Sequence, residues 1–229
     1  KDIYKGMRLH ADIMRRDLIT KNPYLASTLI SMYAKCGMLV KAQHVLEEIP
    51  IRDSVSWNAL ITGYAQKGLG HEALNCFERM QSEGLSPDAV TFICILKACG
   101  QIGAIEKGKQ IHDEIVRRDL LEKDVVLGTA LVDMYAKCGA LVKAQKVHDE
   151  LCVRDVVSWS ALITGYAQQG QGHEALNCFQ WMRDEGIAAN VVTFLCVLKA
   201  CGGIRAIQKG KEVHDEIVCR GLEEKNNSL

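Results

Sequence analysis

A histidine followed two positions later by a glutamate occurs three times in this chain, beginning at His112, His148 and His214. In zinc-dependent deaminases such a histidine ligates the metal and the glutamate shuttles protons, but a downstream Pro-Cys-x-x-Cys must complete the site. The chain contains no such string. Because the three copies occupy one place of a repeated pattern, we interpret them as scaffold and predict no metal, no cofactor and no enzymatic activity.

The cysteines follow the same repeated pattern. There are ten, and eight of them form four pairs of equivalent positions. They lie in apolar, helix-like stretches, where a thiol behaves as a small hydrophobic side chain, so we predict reduced, structural cysteines. The recurring pairs are Cys36 with Cys138, Cys76 with Cys178, Cys94 with Cys196, and Cys99 with Cys201.

Composition narrows the class of partner. Lysine plus arginine and aspartate plus glutamate both number 28, so the formal net charge is zero. A dedicated nucleic-acid binder usually carries an excess of basic residues that displaces counterions. A zero net charge is still compatible with a local stripe of basic residues. No apolar run approaches the length that spans a membrane, and we expect no membrane partner. The chain opens within a motif, so any targeting segment is expected upstream or removed.

The sequence that must position these residues copies itself at a spacing of 102 residues. Residues 57–77 read WNALITGYAQKGLGHEALNCF and residues 159–179 read WSALITGYAQQGQGHEALNCF, with three differences. A long internal copy indicates an array of small motifs that are stabilised by stacking on their neighbours. We therefore predict an all-α, right-handed solenoid of helix-turn-helix motifs, with its function along one concave surface.

The strings MYAKCG and GYAQKG mark equivalent places and divide the period further. The first five complete motifs are 31, 35, 36, 31 and 35 residues long. Residues 1–22 are expected to be the second half of a partial long motif, and the last motif includes a C-terminal tail. The complete motifs are predicted at residues 23–53, 54–88, 89–124, 125–155, 156–190 and 191–229.

Within a motif the apolar spacing predicts two helices. Ser56 is the expected N-cap of a first helix whose apolar residues recur at i, i+3, i+4 and i+7. Gly68 and Gly70 are expected to break this helix. The second helix is expected over residues 72–82.

Positions that differ between the two near-identical copies are positions at which the fold does not require one particular residue. Asn58 in one copy corresponds to Ser160 in the other, and Asp88 at a motif boundary corresponds to Asn190. An aspartate only accepts hydrogen bonds, whereas an asparagine also donates them. This variation favours the recognition of nucleobase edges, and random drift between the copies is the alternative.

The strings MYAKCG, SWxALITGYA and VTFxxxLKAC, with three alternating motif lengths, resemble the pentatricopeptide repeat (PPR) family. They are most similar to its plant PLS subclass, in which short (S), standard (P) and long (L) motifs alternate. The resemblance covers the whole chain, which we interpret as a fragment that lacks the C-terminal extension or deaminase domain of such proteins. It implies an α-solenoid that binds single-stranded RNA at about one base per repeat. It also implies a parent protein that edits, processes or splices RNA in mitochondria or chloroplasts, with editing-complex proteins as further partners.

In this family the fifth and the last residue of a motif form a reading pair. Carried over, the resemblance implies four polar pairs that match G, U, G and A, and two L-motif pairs whose apolar fifth residue cannot hydrogen-bond a base. It therefore implies a preference for 5′-G-U-N-G-A-N-3′. The pairs are Ser27 with Asp53, Asn58 with Asp88, Ile93 with Asp124, Thr129 with Asp155, Ser160 with Asn190, and Leu195 with Asn226.

The second residue of each motif is implied to clamp the base against the neighbouring motif. Branched aliphatic side chains would contact any base without sequence preference. The alternative is packing in the core at a helix start, because valine is usually buried. The clamp candidates are Tyr24, Val55, Val90, Val126, Val157 and Val192.

Lysines recur on the face of the first helix that carries the reading positions. We interpret this modest cationic stripe as phosphate contacts, with solvated surface lysines as the alternative. The lysines are Lys35, Lys97, Lys137 and Lys199.

Two further interpretations stay open. A protein-interaction scaffold similar to tetratricopeptide repeats would use the same fold to hold a peptide, although a peptide groove does not need the polar pairs. Self-association is also expected if the terminal helices expose uncapped apolar faces.

Overall fold

An aspartate or asparagine stands directly before five of the first helices and starts each of them. Asp53 accepts a hydrogen bond from the Ser56 N–H at 2.8 Å, and Asp88 accepts one from the Thr91 N–H at 2.8 Å. Such a cap satisfies one of the backbone donors that every helix leaves unpaired at its start. Ser56, the expected N-cap, is therefore the third residue of its helix, and the N-cap is Asp53.

The computed structural model describes residues 2–16, 18–22, 24–121 and 124–221, and the regular elements in these ranges are helices. They form two compact units that divide between Ala104 and Ile105. The first compact unit contains α1 (Asp2–Arg15), α2 (Leu18–Lys21), α3 (Tyr24–Lys35), α4 (Leu39–Glu48), α5 (Ser54–Gln66), α6 (Gly70–Ser82) and α7 (Ala89–Ile102). The second contains α8 (Ile105–Arg117), α9 (Val125–Lys137), α10 (Leu141–Asp149), α11 (Val156–Gln168), α12 (Gly172–Asp184), α13 (Val191–Gly203) and α14 (Ile207–Cys219).

Alternate helices pack side by side in each compact unit. In the first, α5 packs between α3 and α7 and also against α4 and α6; in the second, α11 packs between α9 and α13 and against α10 and α12. We call α3, α5 and α7, and likewise α9, α11 and α13, the first-helix layer of their unit. The expected array of stacked helical hairpins is therefore observed within each unit.

The apolar stripes of both helix types form the core. Trp57, Leu60 and Ile61 of α5 are fully buried, as are Ala73 and Met80 of α6. Trp57, Leu60 and Ile61 follow the i, i+3 and i+4 spacing that predicted the first helix. The indole N–H of Trp57 still needs an acceptor, because a buried donor without one costs free energy.

Glu83 supplies that acceptor and joins two neighbouring motifs. Its carboxylate accepts from Trp57 Nε1 at 3.0 Å and from an Arg52 guanidinium nitrogen at 2.8 Å. Arg52 also donates to the backbone carbonyls of Leu46 and Glu47 at the end of α4. Arg154, Trp159 and Glu185 repeat the arrangement in the second compact unit.

The turn between α5 and α6 differs from the expected one. Gly68 adopts a left-handed backbone (φ 76°) and reverses the chain. Gly70, expected to break the helix, is instead the first residue of α6. A Cβ atom at Gly70 would lie 2.6 Å from Ile102 Cγ2 and 3.0 Å from the Ala98 carbonyl oxygen of α7. This glycine therefore permits close packing between two motifs.

We expect Gly70→Ala to lower the free energy of unfolding by about 1–3 kcal/mol, because the added methyl group over-packs a helix contact that includes backbone. Gly202→Ala is the matched control: a Cβ atom at this helical glycine meets nothing within 4 Å. It should stabilise the protein by up to about 1 kcal/mol through helix propensity. Urea unfolding followed by circular dichroism measures both. Equal stability of the two variants would contradict the packing role of Gly70.

Candidate nucleic-acid interface

A groove of about 780 Å³ runs over the first-helix layer of the first compact unit. Five of the predicted RNA-contacting residues line it, from α3, α5 and the start of α7: Ser27, Lys35, Val55, Asn58 and Val90. Clefts with few, well-placed polar groups are typical ligand sites. The stacking of the helices therefore brings together in one cleft residues that are far apart in sequence.

The polar fifth residues are nearly buried. Ser27, Asn58, Thr129 and Ser160 are only 7–9% exposed. A polar side chain at this depth needs a hydrogen-bond partner, because leaving it unpaired costs free energy. The four residues meet this need in different ways.

Asn58 and Asp88 form a direct pair across a motif boundary. Asn58 Nδ2 donates to both carboxylate oxygens of Asp88, at 3.0 and 3.1 Å. The hydroxyl of Thr91 lies 2.6 Å from Asn58 Oδ1 and 2.9 Å from Asp88 Oδ1. The two predicted members of this reading pair are therefore in contact, and a third residue touches both.

Ser160 and Asn190 are joined through an intermediate. Ser160 Oγ lies 2.7 Å from Thr193 Oγ1, and the Thr193 N–H and hydroxyl both bond to Asn190 Oδ1 at 2.9 Å. Because the carbonyl oxygen of Asn190 is held by Thr193, its amide NH₂ points away from the cap with two donors. This pair thus differs from Asn58 and Asp88 in the hydrogen-bond donors and acceptors that it leaves available.

The S-motif pairs have no such bridge. The Ser27 hydroxyl donates to the Tyr24 carbonyl of its own helix at 3.1 Å. Thr129 Oγ1 is buried and has no hydrogen-bond partner among the described residues. Their predicted partners, Asp53 and Asp155, accept from backbone N–H groups as helix N-caps. The S-motif pairs are therefore not joined by a hydrogen bond of the kind that joins Asn58 and Asp88.

The L-motif positions are apolar and less buried. Ile93 is half-buried and Leu195 is exposed. Asp124 caps α9 through its side chain. Asn226 lies outside the described residues.

The clamp candidates are exposed. The five valines Val55, Val90, Val126, Val157 and Val192 are 49–61% exposed, and Tyr24 is also exposed. Packing in the core, the alternative for these positions, is therefore excluded. An exposed branched side chain at each helix start leaves apolar surface free to contact a flat ring.

The four lysines of the expected stripe are all exposed. Lys35 lines the groove. Lys137 is paired with Asp133 of its own helix at 2.6 Å. Such an exposed pair contributes little stability and would have to open before Lys137 contacted a phosphate.

The cysteines of the described residues are free thiols. Burial raises the pKa of Cys76 to about 11 and that of Cys178 to about 12. Both thiols therefore stay neutral and unreactive near neutral pH. Cys36, expected within an apolar pattern, is instead exposed because α3 ends one residue before it.

The three His-Asp-Glu motifs have three different environments. His112 Nδ1 is 2.9 Å from the Tyr135 hydroxyl, His148 is fully buried against Trp159, and His214 is exposed. No cluster of three potential metal ligands occurs in the described residues. A histidine at this position of the second helix therefore packs in the core, forms a hydrogen bond or is exposed to solvent, depending on the residues that lie next to it.

Thr91 and Thr193 are the residues that sequence reasoning missed. Both are fully buried, and both contact a fifth residue and a last residue at once. The available signal was an aspartate or asparagine followed three positions later by a hydroxyl residue, a pattern typical of a capping box. That pattern predicts a helix start, but not a contact with the preceding motif.

Comparison with known proteins identifies repeats along the chain. The PPR repeat family model PPR_2 matches residues 52–101 and 154–203, and the PPR repeat model matches residues 25–53, 90–120 and 129–156. A mitochondrial pentatricopeptide repeat-containing protein of Arabidopsis thaliana is 36% identical over 95% of this chain and 39% of its own length. The chloroplastic pentatricopeptide repeat-containing protein CRR2 of the same plant is 39% identical over 93% of this chain and 32% of its own.

A similar solved structure is the pentatricopeptide repeat protein PPR10 in complex with an 18-nt psaJ RNA element. It superposes with a TM-score of 0.69 at 20% identity over 89% of this chain and 31% of that chain. This likeness shows the fold, an α-solenoid of helical hairpins, as the sequence predicted. The chain spans 25–43% of the length of the curated relatives it matches. In the part of the chain that the structure describes, every helix is too short or too polar to cross a bilayer.

Proposed function

The chain belongs to the pentatricopeptide repeat family, and from this membership we propose that it binds single-stranded RNA on its first-helix layers, at about one base per repeat. The observation that carries the proposal is the contact between Asp88 and Asn58, which lines a groove together with the exposed Val55 and Val90. RNA-binding modules read single strands through hydrogen bonds to base edges and contacts with base faces. The groove offers both kinds of contact.

The Asn58–Asp88 pair offers a donor and an acceptor to a base. Asn58 Nδ2 uses one proton on Asp88 and keeps a second, and Asp88 Oδ2 keeps free acceptor capacity. A donor beside an acceptor complements a base edge that presents an acceptor beside a donor. Uracil and guanine present a carbonyl oxygen beside an N–H. Cytosine and adenine present the same combination as a bare ring nitrogen beside an amino group. The pair can therefore hydrogen-bond a base edge, and the U at the second nucleotide is the base that the family resemblance implies.

The Ser160–Asn190 pair supports a different base. The amide NH₂ of Asn190 offers donors, while Thr193 occupies its carbonyl oxygen. A donor complements the bare ring nitrogen of adenine, in agreement with the implied A at the fifth nucleotide. With the bases that the resemblance implies for the other motifs, we propose the preference 5′-G-U-N-G-A-N-3′ in a PLS arrangement of motifs.

We propose that the parent protein acts in a plant organelle, in RNA editing, processing or splicing. Relatives named mitochondrial and chloroplastic support the organelle. Editing-complex proteins as partners, and self-association through terminal helices, stay predictions.

The register is tested at the fourth nucleotide. Exchanging its G for C should weaken binding by about 1–3 kcal/mol, because the base edge no longer matches Thr129 and Asp155. Fluorescence anisotropy with the two RNAs measures the difference. Exchanging the third nucleotide, which faces an L motif, is the matched control and should change affinity little. Equal affinity for the G and C oligonucleotides would contradict the register.

The same titration separates RNA binding from a peptide scaffold. Binding to phosphates releases counterions, so the affinity should fall steeply as salt rises. Binding that is insensitive to salt and unaffected by base exchange would favour the protein-interaction alternative.

A further inference from the structure

We propose that Thr91 and Thr193 determine base specificity without touching RNA, by fixing the hydrogen-bonding direction of the reading pair that precedes each of them. This inference rests on the proposed RNA binding. It concerns residues at the third position of the L motifs, inside the protein, rather than the reading positions themselves. Both threonines are fully buried, so neither can contact a nucleotide.

The Thr91 hydroxyl is shared by both members of a pair. It accepts from the Asp88 N–H at 3.2 Å, and its proton faces Asn58 Oδ1 at 2.6 Å and Asp88 Oδ1 at 2.9 Å. The Asn58 carbonyl oxygen is therefore occupied, and its NH₂ must face Asp88. An amide turned by 180° would place its oxygen against the Asp88 carboxylate, an arrangement of two acceptors.

The direction of this amide decides which base matches. In the observed direction, a proton of Asn58 Nδ2 remains available beside an acceptor of Asp88. Without the hydroxyl, one of the two constraints on the amide is lost. The turned amide would offer an acceptor, which suits the amino group of cytosine. Thr91 is thus a positioning residue for the second nucleotide.

Thr193 makes the equivalent contacts with the second pair. Its hydroxyl lies 2.7 Å from Ser160 Oγ and 2.9 Å from Asn190 Oδ1. The boundary between S and P motifs is built differently. Ser158 donates its hydroxyl to the Asp155 backbone oxygen at 3.0 Å, which leaves Thr129 without a partner among the described residues. A threonine hydroxyl that contacts both members of a reading pair is therefore a feature of the boundary between P and L motifs.

The test is Thr91→Val in the full chain, with Thr91→Ser as the matched variant that keeps a hydroxyl. Valine has nearly the same shape and retains the backbone N–H that Asp88 caps. Fluorescence anisotropy would compare four RNAs that differ only at the second nucleotide. We expect the preference for U over C to fall about tenfold in Thr91→Val, and to be restored in Thr91→Ser.

Two internal controls separate positioning from a general loss of structure. In Thr91→Val the preference for G over C at the fourth nucleotide should stay as in the wild type, because another boundary sets it. Thr193→Val should change the preference at the fifth nucleotide alone. A purely structural role would lower affinity for all RNAs by one factor and leave every preference intact.

The outcomes distinguish the two proposals. If the wild type discriminates at the second and fifth nucleotides but both valine variants retain the same preferences, the positioning role is wrong and RNA reading stands. If the wild type binds all these RNAs equally, the proposed function is wrong and the inference falls with it.

Discussion

Replacing Asn58 by serine and Asp88 by asparagine is expected to change the preferred second nucleotide from U to A. The double variant converts this pair into a copy of Ser160 and Asn190, with Thr91 in the place of Thr193. A mismatched base edge costs about 1–3 kcal/mol, and here U loses the match while A gains it. The ratio of the two affinities should therefore shift by about 2–6 kcal/mol, or at least about thirtyfold.

The chain supplies its own reciprocal control. Ser160→Asn with Asn190→Asp should change the preferred fifth nucleotide from A to U and leave the second unchanged. Selection of bound sequences from a random RNA pool would show both changes in one experiment. An unchanged preference in both double variants, with affinity retained, would rule out these positions as the reading pairs.

Replacing His148 by leucine is expected to raise the free energy of unfolding by about 1–3 kcal/mol, the cost of burying unsatisfied polar atoms. His148 is fully buried, and neither ring nitrogen has a hydrogen-bond partner among the described residues. The Asp149 carboxylate is 3.8 Å from Nδ1, too far for a hydrogen bond. Leu46 holds the equivalent place in the first S motif and is also fully buried, so the fold accepts leucine there.

The stability difference between His148→Leu and the wild type should increase as the pH falls. Burial lowers the pKa of His148 below its usual value of 6.5, and the Arg154 guanidinium lowers this pKa further, against Asp149 and Glu185. The unfolded chain therefore binds the proton first as the pH falls. The wild type keeps its full stability above about pH 6.5 and loses part of it between that pH and the lowered pKa of the folded state. The leucine variant has no such loss at this position.

Urea unfolding at about pH 7.5 and about pH 5.5 measures both effects. His214→Leu is the control, because this side chain is exposed, and it should change stability by less than about 0.5 kcal/mol. A His148→Leu variant that is less stable than the wild type at both pH values would show that the buried ring makes a favourable contact that outweighs its unpaired nitrogens.

The sequence was sufficient for the helical hairpins and for much of the core. Periodicity predicted the buried face of Trp57, Leu60 and Ile61, because a helix of 3.6 residues per turn places them together. It misplaced the helix start, since apolar spacing begins only at Trp57 while the capping side chain is Asp53. A cap belongs to the residue before the helix, which periodicity does not register.

The contacts between motifs were harder to predict. The role of Thr91 depends on Asn58 of the preceding motif, 33 residues away, and is visible only when the two helices are packed. His112 and His148 share one place in their motifs, yet Tyr135 faces the first and Trp159 the second. A hydroxyl accepts or donates a hydrogen bond, whereas an indole edge leaves the imidazole nitrogens bare. The residue that packs against the imidazole determines whether it forms a hydrogen bond, and the local sequence pattern does not predict which residue that is.

The difference between the S–P and the P–L motif boundary has a consequence for how such proteins lengthen. An S motif meets a P motif through the Arg52–Glu83–Trp57 network, whereas a P motif meets an L motif through a threonine hydroxyl. A single motif inserted at another place in the array would meet a neighbour whose boundary contacts do not match its own. A block of 102 residues carries matched joints, and the bounds of α6 and α12 differ by this same number. Under the proposed reading of one base per motif, duplication of a whole block would lengthen the bound RNA by three nucleotides at each step.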